Sequence, residues 1–403
     1  MRLDMKARQS LVRVTAGRYQ KARRKEKGKI LDEFVQATGY ERCYASFLLS
    51  RHGRAVRVDS KTTLVGDVSK RVRKKREPIY GADVLKALKI VWMNLDFMCG
   101  KRLKAALTQT VLVMESWGEI NVSAETKRKL GWISAATIDR LLGPERKRLE
   151  LKARSGTKPG TLLKHQVEIR TFADWDENKP GFAETDLVSH GGGDERGEFC
   201  QTLCLTDVCS AWTEAEAVRN KAQVWVFEGL KNIRQRLPFD LLGLDSDNGS
   251  EFINAHLIAY CKQEGITFTR SRPYRKNDNC FVEEKNFTLV RRAVGYMRHD
   301  TAGELEILNR LYHYVCLRSN YFLPSMKLKT KQRVGSKVVK RYHLPETPYQ
   351  RLLGSADVPA QAKQQLKRTY QELNPAQLTR EIARLQQALW KAVQKKHKKK
   401  KAA

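Results

Sequence analysis

The stretch Phe239-Asp-Leu-Leu-Gly-Leu-Asp-Ser-Asp-Asn-Gly-Ser-Glu-Phe252 joins an apolar run to a turn that is rich in carboxylates. The run that ends at Leu244 predicts a short buried strand, and the Asn-Gly dipeptide after it predicts a turn. Acidic residues are common in turns, so their presence alone requires no further explanation. The alternative is that carboxylates at the end of a buried strand hold a metal ion, which requires partner ligands elsewhere in the chain.

The composition limits the class of protein before any other motif is considered. A length of 403 residues predicts two to four domains, and a hydrophobic content of 41% is enough to give them cores. The formal net charge of +33 indicates a polyanionic partner, most often a nucleic acid. No apolar run is long enough to span a bilayer, and the first residues lack the apolar segment of a signal peptide. These features predict a soluble cytoplasmic protein that is associated with the nucleoid and not with a membrane.

The cysteines and histidines argue against a zinc site. The eight cysteines are scattered without a C-x-x-C pair, and the eight histidines lack metal-binding spacing. Cys200 and Cys204 fall on a predicted strand and are interpreted as small buried hydrophobic residues. Reduced thiols of this kind are typical of a cytoplasmic protein.

Two basic helical regions are predicted ahead of residue 153. Residues 1–80 contain dense basic clusters, interpreted as solvated segments that contact phosphates. Two short helices on either side of Gly39 suggest a helix-turn-helix. Residues 81–152 contain a second such pair, with Ser123 and Ser134 as the predicted N-caps. The helical stretch before that pair has four predicted core residues: Trp92, Leu95, Phe97 and Met98.

The hydrophobic period changes after a basic linker at residues 153–171. The predicted elements that follow are strands 184–188, 199–207 and 212–218, helix 222–236, strand 239–244, helix 252–264, strand 266–271 and helices 279–299 and 304–321. This order predicts an α/β domain over residues 172–324 with the ribonuclease-H-like arrangement, a mixed five-stranded sheet with helices on both faces. Residues 325–403 form a basic C-terminal region.

Within that C-terminal region, the alternation of basic and apolar residues over 327–342 predicts a few strands of a small barrel. Residues 359–395 return to a helical pattern. The lysine-rich tail after them is expected to be a solvated block of charge.

Three carboxylates lie on strands and a helix that this arrangement brings close to one another. Asp186 lies in the first predicted strand of the core, Asp247 at the end of the fourth, and Glu283 in the helix after the fifth. The first and fourth strands are neighbours in such a sheet, so these carboxylates are expected to converge. Oxygen ligands with little nitrogen or sulfur nearby suit Mg²⁺ or Mn²⁺. Two such ions would activate a water or a 3′-hydroxyl and stabilise the leaving oxygen in phosphodiester attack.

These residues carry a family resemblance. Asp186, the Asp247-Asn-Gly-Ser-Glu-Phe252 turn and Glu283, with 35 residues between Asp247 and Glu283, resemble the DDE transposase and retroviral integrase superfamily. The segment Ser271-Arg-Pro-Tyr-Arg-Lys-Asn-Asp-Asn-Cys-Phe-Val-Glu-Glu-Lys-Asn286 is similar to that family's strand, loop and helix around its glutamate. The flanking helices and basic C-terminal region fit bacterial insertion-sequence transposases. The resemblance implies Mg²⁺-dependent cleavage at transposon ends and strand transfer into target DNA by a multimeric complex.

Two departures from the family pattern are visible. The family's loop often carries a second proline where Arg275 and Lys276 stand here, which favours direct phosphate contact by this loop. No Cys/His zinc domain precedes the core, so a bacterial transposase is a nearer relative than a retroviral integrase.

Several assignments within the acidic cluster stay open. Asp245 shares a strand face with Asp247 and is its alternative as a ligand; the position of Asp247 at the exit of the strand favours Asp247. Glu284 is the alternative to Glu283, and side chains at adjacent helical positions point about 100° apart, so only one of them reaches the metal. Asp207 is interpreted as a turn cap, and Glu251 as a charge at a helix N-terminus.

The predicted DNA contacts surround these carboxylates. Six residues are candidates for binding DNA: Asn248, Arg272, Arg275, Lys276, Lys285 and Asn286. Asn286 shares a helix face with Glu283, so it contacts either DNA or a carboxylate of the metal site. Tyr274 stacks on a base or packs on the sheet. His190 is interpreted as a loop histidine rather than a catalytic group, and Trp212 as part of the core.

The sequence thus predicts a transposase that acts on double-stranded DNA as a homo-oligomer, with Asp186, Asp247 and Glu283 holding two Mg²⁺ or Mn²⁺ ions. A nuclease of the same fold that hydrolyses without joining strands is one alternative. A DNA-binding regulator without catalysis is the other.

Overall fold

The computed structural model describes residues 3–57, 63–65, 79–149, 168–169, 179–246, 252, 255–270 and 280–402. The chain divides into two compact units, Met1–Ile79 and Tyr80–Ala403. The predicted basic cluster at residues 70–76 and nearly all of the linker at residues 153–171 lie outside the described residues.

The first unit contains three helices and a short hairpin. Its elements are α1 (Met5–Lys21), α2 (Arg24–Thr38), α3 (Arg42–Arg51), β1 (Ala55–Arg57) and β2 (Thr63–Val65). The predicted pair of helices around Gly39 forms, and α2 ends at this glycine, whose φ of 67° suits a residue without a Cβ. The basic side chains of the cluster at residues 21–25 are exposed, as expected of a solvated segment, and the cluster forms the end of α1 and the start of α2.

Four helices open the second unit: α4 (Ala82–Asn94), α5 (Gly100–Ser116), α6 (Ala124–Trp132) and α7 (Ala135–Leu149). The predicted N-caps are confirmed, since Ser123 Oγ accepts from Thr126 N and Ser134 Oγ from Thr137 N, each at 3.2 Å. Of the four predicted core residues, Phe97 is 42% exposed, contrary to the prediction, because it lies in a left-handed turn after α4 and only its edge meets the Trp92 ring.

The central element of the second unit is a mixed sheet. Its strands are β3 (Glu168–Ile169), β4 (Phe182–Ser189), β5 (Gln201–Asp207), β6 (Thr213–Val218), β7 (Gly243–Ser246) and β8 (Thr267–Arg270). They lie in the order β3-β8-β7-β4-β5-β6, with β4, β5 and β6 antiparallel and β4, β7 and β8 parallel. The predicted mixed five-stranded sheet is confirmed, and the two-residue β3 adds a sixth strand at one edge.

The strand predicted at residues 239–244 begins four residues later along the chain and ends at Ser246. It begins at Gly243, which pairs with Phe182 of β4. A Cβ on Gly243 would lie 2.3 Å from the Phe182 ring, so only glycine lets the two strands approach here. The shift places Asp245 inside the strand instead of after it.

Helices cover both faces of the sheet, as predicted. On one face, α8 (Gln223–Arg236) and α9 (Ala255–Gln263) pack against apolar residues of β4, β5 and β7. On the other face, α10 (Cys280–Lys285), a π-helical segment (Asn286–Arg291), α11 (Arg292–Val294) and α12 (Ala302–Phe322) follow one another. The predicted helix 279–299 is therefore shorter and includes a π-helical turn, because Gly295, with φ of 73°, ends it.

The C-terminal region departs most from its prediction. The residues interpreted as strands of a small barrel form one hairpin, β9 (Leu328–Val334) and β10 (Lys337–Tyr342). Three helices follow, α13 (Pro348–Gly354), α14 (Ala360–Glu372) and α15 (Pro375–Ala402). The lysine-rich tail forms the end of α15; Lys395 and Lys398 are exposed, as expected of a solvated block, whereas Lys396 is partly buried. That helix packs Ile382, Leu385 and Leu389 against α12 and the sheet.

Candidate functional site: a carboxylate face of the sheet

Three carboxylates share one face of the sheet. Side chains alternate along a strand, so Glu184 and Asp186 of β4 point to the same side. The parallel register places Asp245 of β7 directly beside Glu184. This is the face on which α10 and the π-helical segment lie, and we call it the carboxylate face.

Asp186 is half-buried and is tied to two neighbours. Its Oδ1 accepts a hydrogen bond from Leu187 N at 2.8 Å, and its Oδ2 accepts one from Asn286 Nδ2 at 2.6 Å. Asn286 is the first residue of the π-helical segment, one turn after Glu283. The strand that carries Asp186 is thereby bonded to the helix that carries Glu283.

Glu283 is exposed in the first turn of α10. Its negative charge makes a small contribution to the raised pKa of Glu184, after burial and the charge of Asp245. The neighbouring Glu284 is also exposed, and its charge acts on Lys285. The choice of Glu283 over Glu284 as the ligand stays a prediction.

Glu184 is the residue of this site that the sequence did not single out. It is fully buried, and its Oε2 accepts hydrogen bonds from the backbone N–H groups of Phe281 and Val282, both at 2.8 Å. Burial raises the pKa of Glu184 to about 8, and the charges of Asp245 and Glu283 add to this effect. Glu184 therefore fixes the start of α10 against β4. Its position two residues before Asp186 was the only signal in the sequence.

Asp245, the alternative ligand, is built into the sheet. It is 1% exposed, and its Oδ1 accepts a hydrogen bond from Thr269 Oγ1 of β8 at 2.5 Å. Asp245 therefore lies inside β7, whereas Asp247 follows the end of that strand in the sequence. Asp247 itself lies outside the described residues.

Other predicted site residues also fall in segments that the structure does not describe. These are Asn248, Arg272, Arg275 and Lys276, together with Glu251 and Tyr274. Lys285 is described and partly buried, and this burial lowers the pKa of its ammonium group while Glu284 opposes the shift. Its predicted contact with DNA stays a prediction.

Two interpretations of single residues are confirmed. Asp207 caps the turn after β5: its Oδ2 accepts from the backbone N and the hydroxyl of Ser210, and its Oδ1 accepts from Gly181 N. Trp212 is buried in the core, at 4% exposure.

His190 belongs to a second buried polar cluster, at the end of β4. Its Nε2 lies 2.6 Å from Thr202 Oγ1, and its ring meets that of His299 with centroids 5.6 Å apart. Burial lowers the pKa of His190 well below the ordinary value for histidine. This cluster includes Glu304, whose two carboxylate oxygens each lie 3.0 Å from Lys396 Nζ of α15. His190 thus lies in the loop after β4, as interpreted from the sequence, and its side chain is fully buried.

The described residues hold two of the three predicted ligands, Asp186 and Glu283. Among them no group of three or more His, Cys, Asp or Glu side chains is close enough to bind a metal ion. In the same part of the chain, no helix is long and apolar enough to cross a membrane.

Comparisons with known proteins place this site in a wider context. A family model described as Integrase core domain matches residues 176–276, which include Asp186 and Asp247. The Uncharacterized protein y4rM of Sinorhizobium fredii (strain NBRC 101917 / NGR234) is 39% identical over 354 residues, 87% of this chain and 96% of that protein.

Two solved structures are also similar to part of the chain. The catalytic core domain of BIV integrase is 22% identical with a TM-score of 0.29, over 42% of this chain and 91% of that chain. A chain of the simian T-cell lymphotropic virus intasome in complex with PP2A regulatory subunit B56 gamma is 16% identical with a TM-score of 0.26, over 44% of this chain and 57% of that chain.

Proposed function

Because the chain belongs to the DDE transposase and integrase superfamily, and to the same family as the Sinorhizobium fredii protein, we propose that it is a DNA transposase. The integrase core supports a polynucleotidyl transferase type of function in general. The specific proposal is cleavage of phosphodiester bonds at transposon ends and transfer of those ends into target DNA.

The observation that carries the proposal is the hydrogen bond from Asn286 to Asp186. This bond joins β4, which carries Asp186, to the helix that carries Glu283, 97 positions later in the sequence. A metal site made from β4 and α10 requires such a connection, since its ligands must keep a fixed separation.

Asp186, Asp247 and Glu283 are the proposed metal ligands, and their donor atoms fit Mg²⁺ or Mn²⁺. All three offer oxygen only, which these hard ions prefer. Burial is the largest cause of the raised pKa of Glu184, and the negative charges of Asp245 and Glu283 add to it; a cation at the carboxylate face would offset those charges. When bound, two such ions would activate the attacking hydroxyl and stabilise the leaving oxygen.

Other residues of the chain are proposed to orient this site and the DNA. Asn286 holds one oxygen of Asp186, and Glu184 holds the first N–H groups of α10. Five basic or polar residues are proposed to bind the phosphates of DNA around the site: Asn248, Arg272, Arg275, Lys276 and Lys285. In this assignment Asn286 acts through Asp186 and not by binding DNA.

The proposed domain organisation follows the sequence. Residues 1–80 and 81–152 would bind transposon ends, residues 153–171 would link them to the catalytic core at 172–324, and residues 325–403 would add basic surface. The compact unit that ends at Ile79 supports the first of these boundaries. Synapsis of two ends is proposed to require a homo-oligomer on double-stranded DNA in the nucleoid.

A strand-transfer assay with precut donor ends tests the proposal. The donor would carry the inverted repeats that flank the gene, with a free 3′-hydroxyl, and plasmid DNA would be the target. We expect joined products in Mg²⁺ or Mn²⁺ from the unaltered protein and none from Asp186→Asn. Hydrolysis without joining would identify a nuclease of this fold, and DNA binding without either reaction or Mn²⁺ binding would identify a regulator.

A further inference from the structure

The hairpin β9–β10 is a basic element without acidic residues. Residues 327–344 contain several lysines and arginines but no aspartate or glutamate. The register places Lys331 directly opposite Lys340, and alternation puts Lys329 and Arg333 on the same face. Like charges in opposing positions destabilise a strand pair, so this face is unfavourable unless negative charge covers it.

No described part of the second unit covers the hairpin. Every described side chain from Leu328 to Leu344 is exposed on both faces, including Val338, Tyr342 and Leu344. The four cations of the face, Lys329, Lys331, Arg333 and Lys340, form no ion pair with a described acid. A single two-stranded hairpin is marginally stable at best in water. These features are typical of a surface that binds a partner.

The base of the hairpin is fixed to the catalytic sheet. Lys327 Nζ donates to Val208 O at 2.8 Å and to Cys209 O, both in the turn after β5. Ser325 and Glu346 exchange backbone hydrogen bonds of 2.9 and 3.2 Å across the base. Val208 N in turn donates to Phe182 O, four residues before Asp186 on β4, which is roughly 13 Å along the strand. The hairpin therefore projects from a defined point near the carboxylate face.

We propose that this hairpin is a β-ribbon arm that binds the backbone of double-stranded DNA through Lys329, Lys331, Arg333 and Lys340. The major groove of DNA admits a two-stranded ribbon, and lysine and arginine bind its phosphates with release of counterions. A second copy of the hairpin is a poorer occupant, because it would bring a second row of cations against the first. The proposal rests on the proposed function in one respect, that the DNA held by the arm is the DNA presented to the carboxylate face.

The test compares two variants of equal charge by DNA binding in EDTA. One replaces the four cations of the arm: K329Q, K331Q, R333Q and K340Q. The control replaces four exposed cations of α14 and α15: K367Q, R368Q, K391Q and K395Q. Binding to a duplex without transposon ends is measured as a function of salt concentration.

We expect the arm variant to reduce the magnitude of the slope of log K against log[salt] by about 3.6, since each of the four phosphate contacts contributes about 0.9. Affinity at moderate salt should fall roughly 100-fold, and the control should lose no more than about 3-fold. Equal losses in the two variants would overturn the proposal. All eight replaced side chains are on the surface, so thermal unfolding should remain as in the unaltered protein.

A second measurement identifies the occupant directly. A photo-crosslinking benzoylphenylalanine replaces the exposed Tyr342 of the full-length protein, which is then irradiated with the duplex present. Cross-links to DNA are the expected result, and cross-links only to another copy of the chain would overturn the proposal. Neither measurement requires metal or catalysis. A negative outcome of these two measurements therefore does not contradict the proposed phosphodiester chemistry. A failure of strand transfer likewise does not contradict the proposed DNA-binding arm.

Discussion

Two fully buried glutamates in the second unit titrate in opposite directions. Burial raises the pKa of both carboxyl groups. At Glu184 the result is a pKa of about 8, with the charges of Asp245 and Glu283 adding to the effect of burial. At Glu304 the hydrogen bonds from His299 and Lys396 outweigh burial, and the pKa falls to about 2. The residue type and the burial are the same, and only the neighbours differ.

The difference lies in how each carboxyl group is compensated. The charge of Glu304 is compensated inside the protein by Lys396 Nζ, which also donates to Asp300 Oδ1 at 2.7 Å. Glu184 has two backbone donors and no cation among the described residues. The proposed metal ions would supply the positive charge that the described residues do not place beside Glu184.

The largest expected effect is on the carboxylate face. Asp186→Asn removes a proposed ligand charge, and we expect strand transfer to fall by at least about 10³-fold. Binding of Mn²⁺, followed by electron paramagnetic resonance, should weaken in parallel while DNA binding persists. Asp194→Asn, which alters an exposed loop acid after β4, is the control. Full activity of Asp186→Asn would disprove the assignment.

The next effect concerns the compensated cluster. Lys396→Met leaves Asp300 and Glu304 without their ammonium partner, and we expect the free energy of unfolding to fall by about 3 kcal/mol. Urea denaturation measures this difference. The neighbouring Lys395 is exposed, so Lys395→Met should change stability by less than about 0.5 kcal/mol. Similar values for both variants would mean that the contact of Lys396 contributes no stability.

The pH dependence of stability should distinguish Glu184 from a neutral side chain. Its folded pKa of about 8 exceeds the ordinary 4.5, so the folded state holds a proton that the unfolded state releases. The stability this gives is present below pH 4.5 and is lost as the pH rises towards 8. In EDTA, we expect the unaltered protein to lose about 2 kcal/mol relative to Glu184→Gln between pH 5 and pH 7. Parallel stability curves for the two proteins would contradict this.

The smallest expected effect is that of Asn286. Asn286→Ala removes the hydrogen bond to Oδ2 of Asp186. Loss of such a supporting hydrogen bond weakens metal binding by about 10-fold or somewhat more. Mn²⁺ titration is the measurement. Thr288→Ala, which removes a hydroxyl that bonds to a helix carbonyl on the same segment, is the control. An unchanged Mn²⁺ affinity in Asn286→Ala would show that Asp186 is held by other means.

The sheet and part of the site could be predicted because their signals are local. The alternation around Asp186 and the succession of strands and helices specify the order of the elements. Asn286 was placed beside the carboxylates by helical spacing alone, and it does contact Asp186. The pattern also identified the buried Trp212 and the capping role of Asp207.

The rest depended on contacts between distant residues. Glu184 bonds to backbone groups 97 and 98 residues away, and nothing in its neighbourhood distinguishes it from an ordinary strand residue. Lys396 stands among lysines of the same type, and only the fold brings the acids of α12 to it. The hairpin β9–β10 has the alternation of a half-buried strand, although none of the described layers packs against it. Alternation depends on the spacing of residue types and carries no information about what lies opposite.

The packing of α15 has a consequence for the order in which the protein is made. Ile382, Leu385 and Leu389 close the hydrophobic cluster beneath the face of the sheet that also carries the carboxylates. Synthesis proceeds from the N-terminus, so this helix leaves the ribosome after the sheet and α12. Until α15 has been made, that layer lacks one side. We expect a protein truncated before Pro375 to expose this surface and aggregate, whereas a chain that includes α15 can complete the layer.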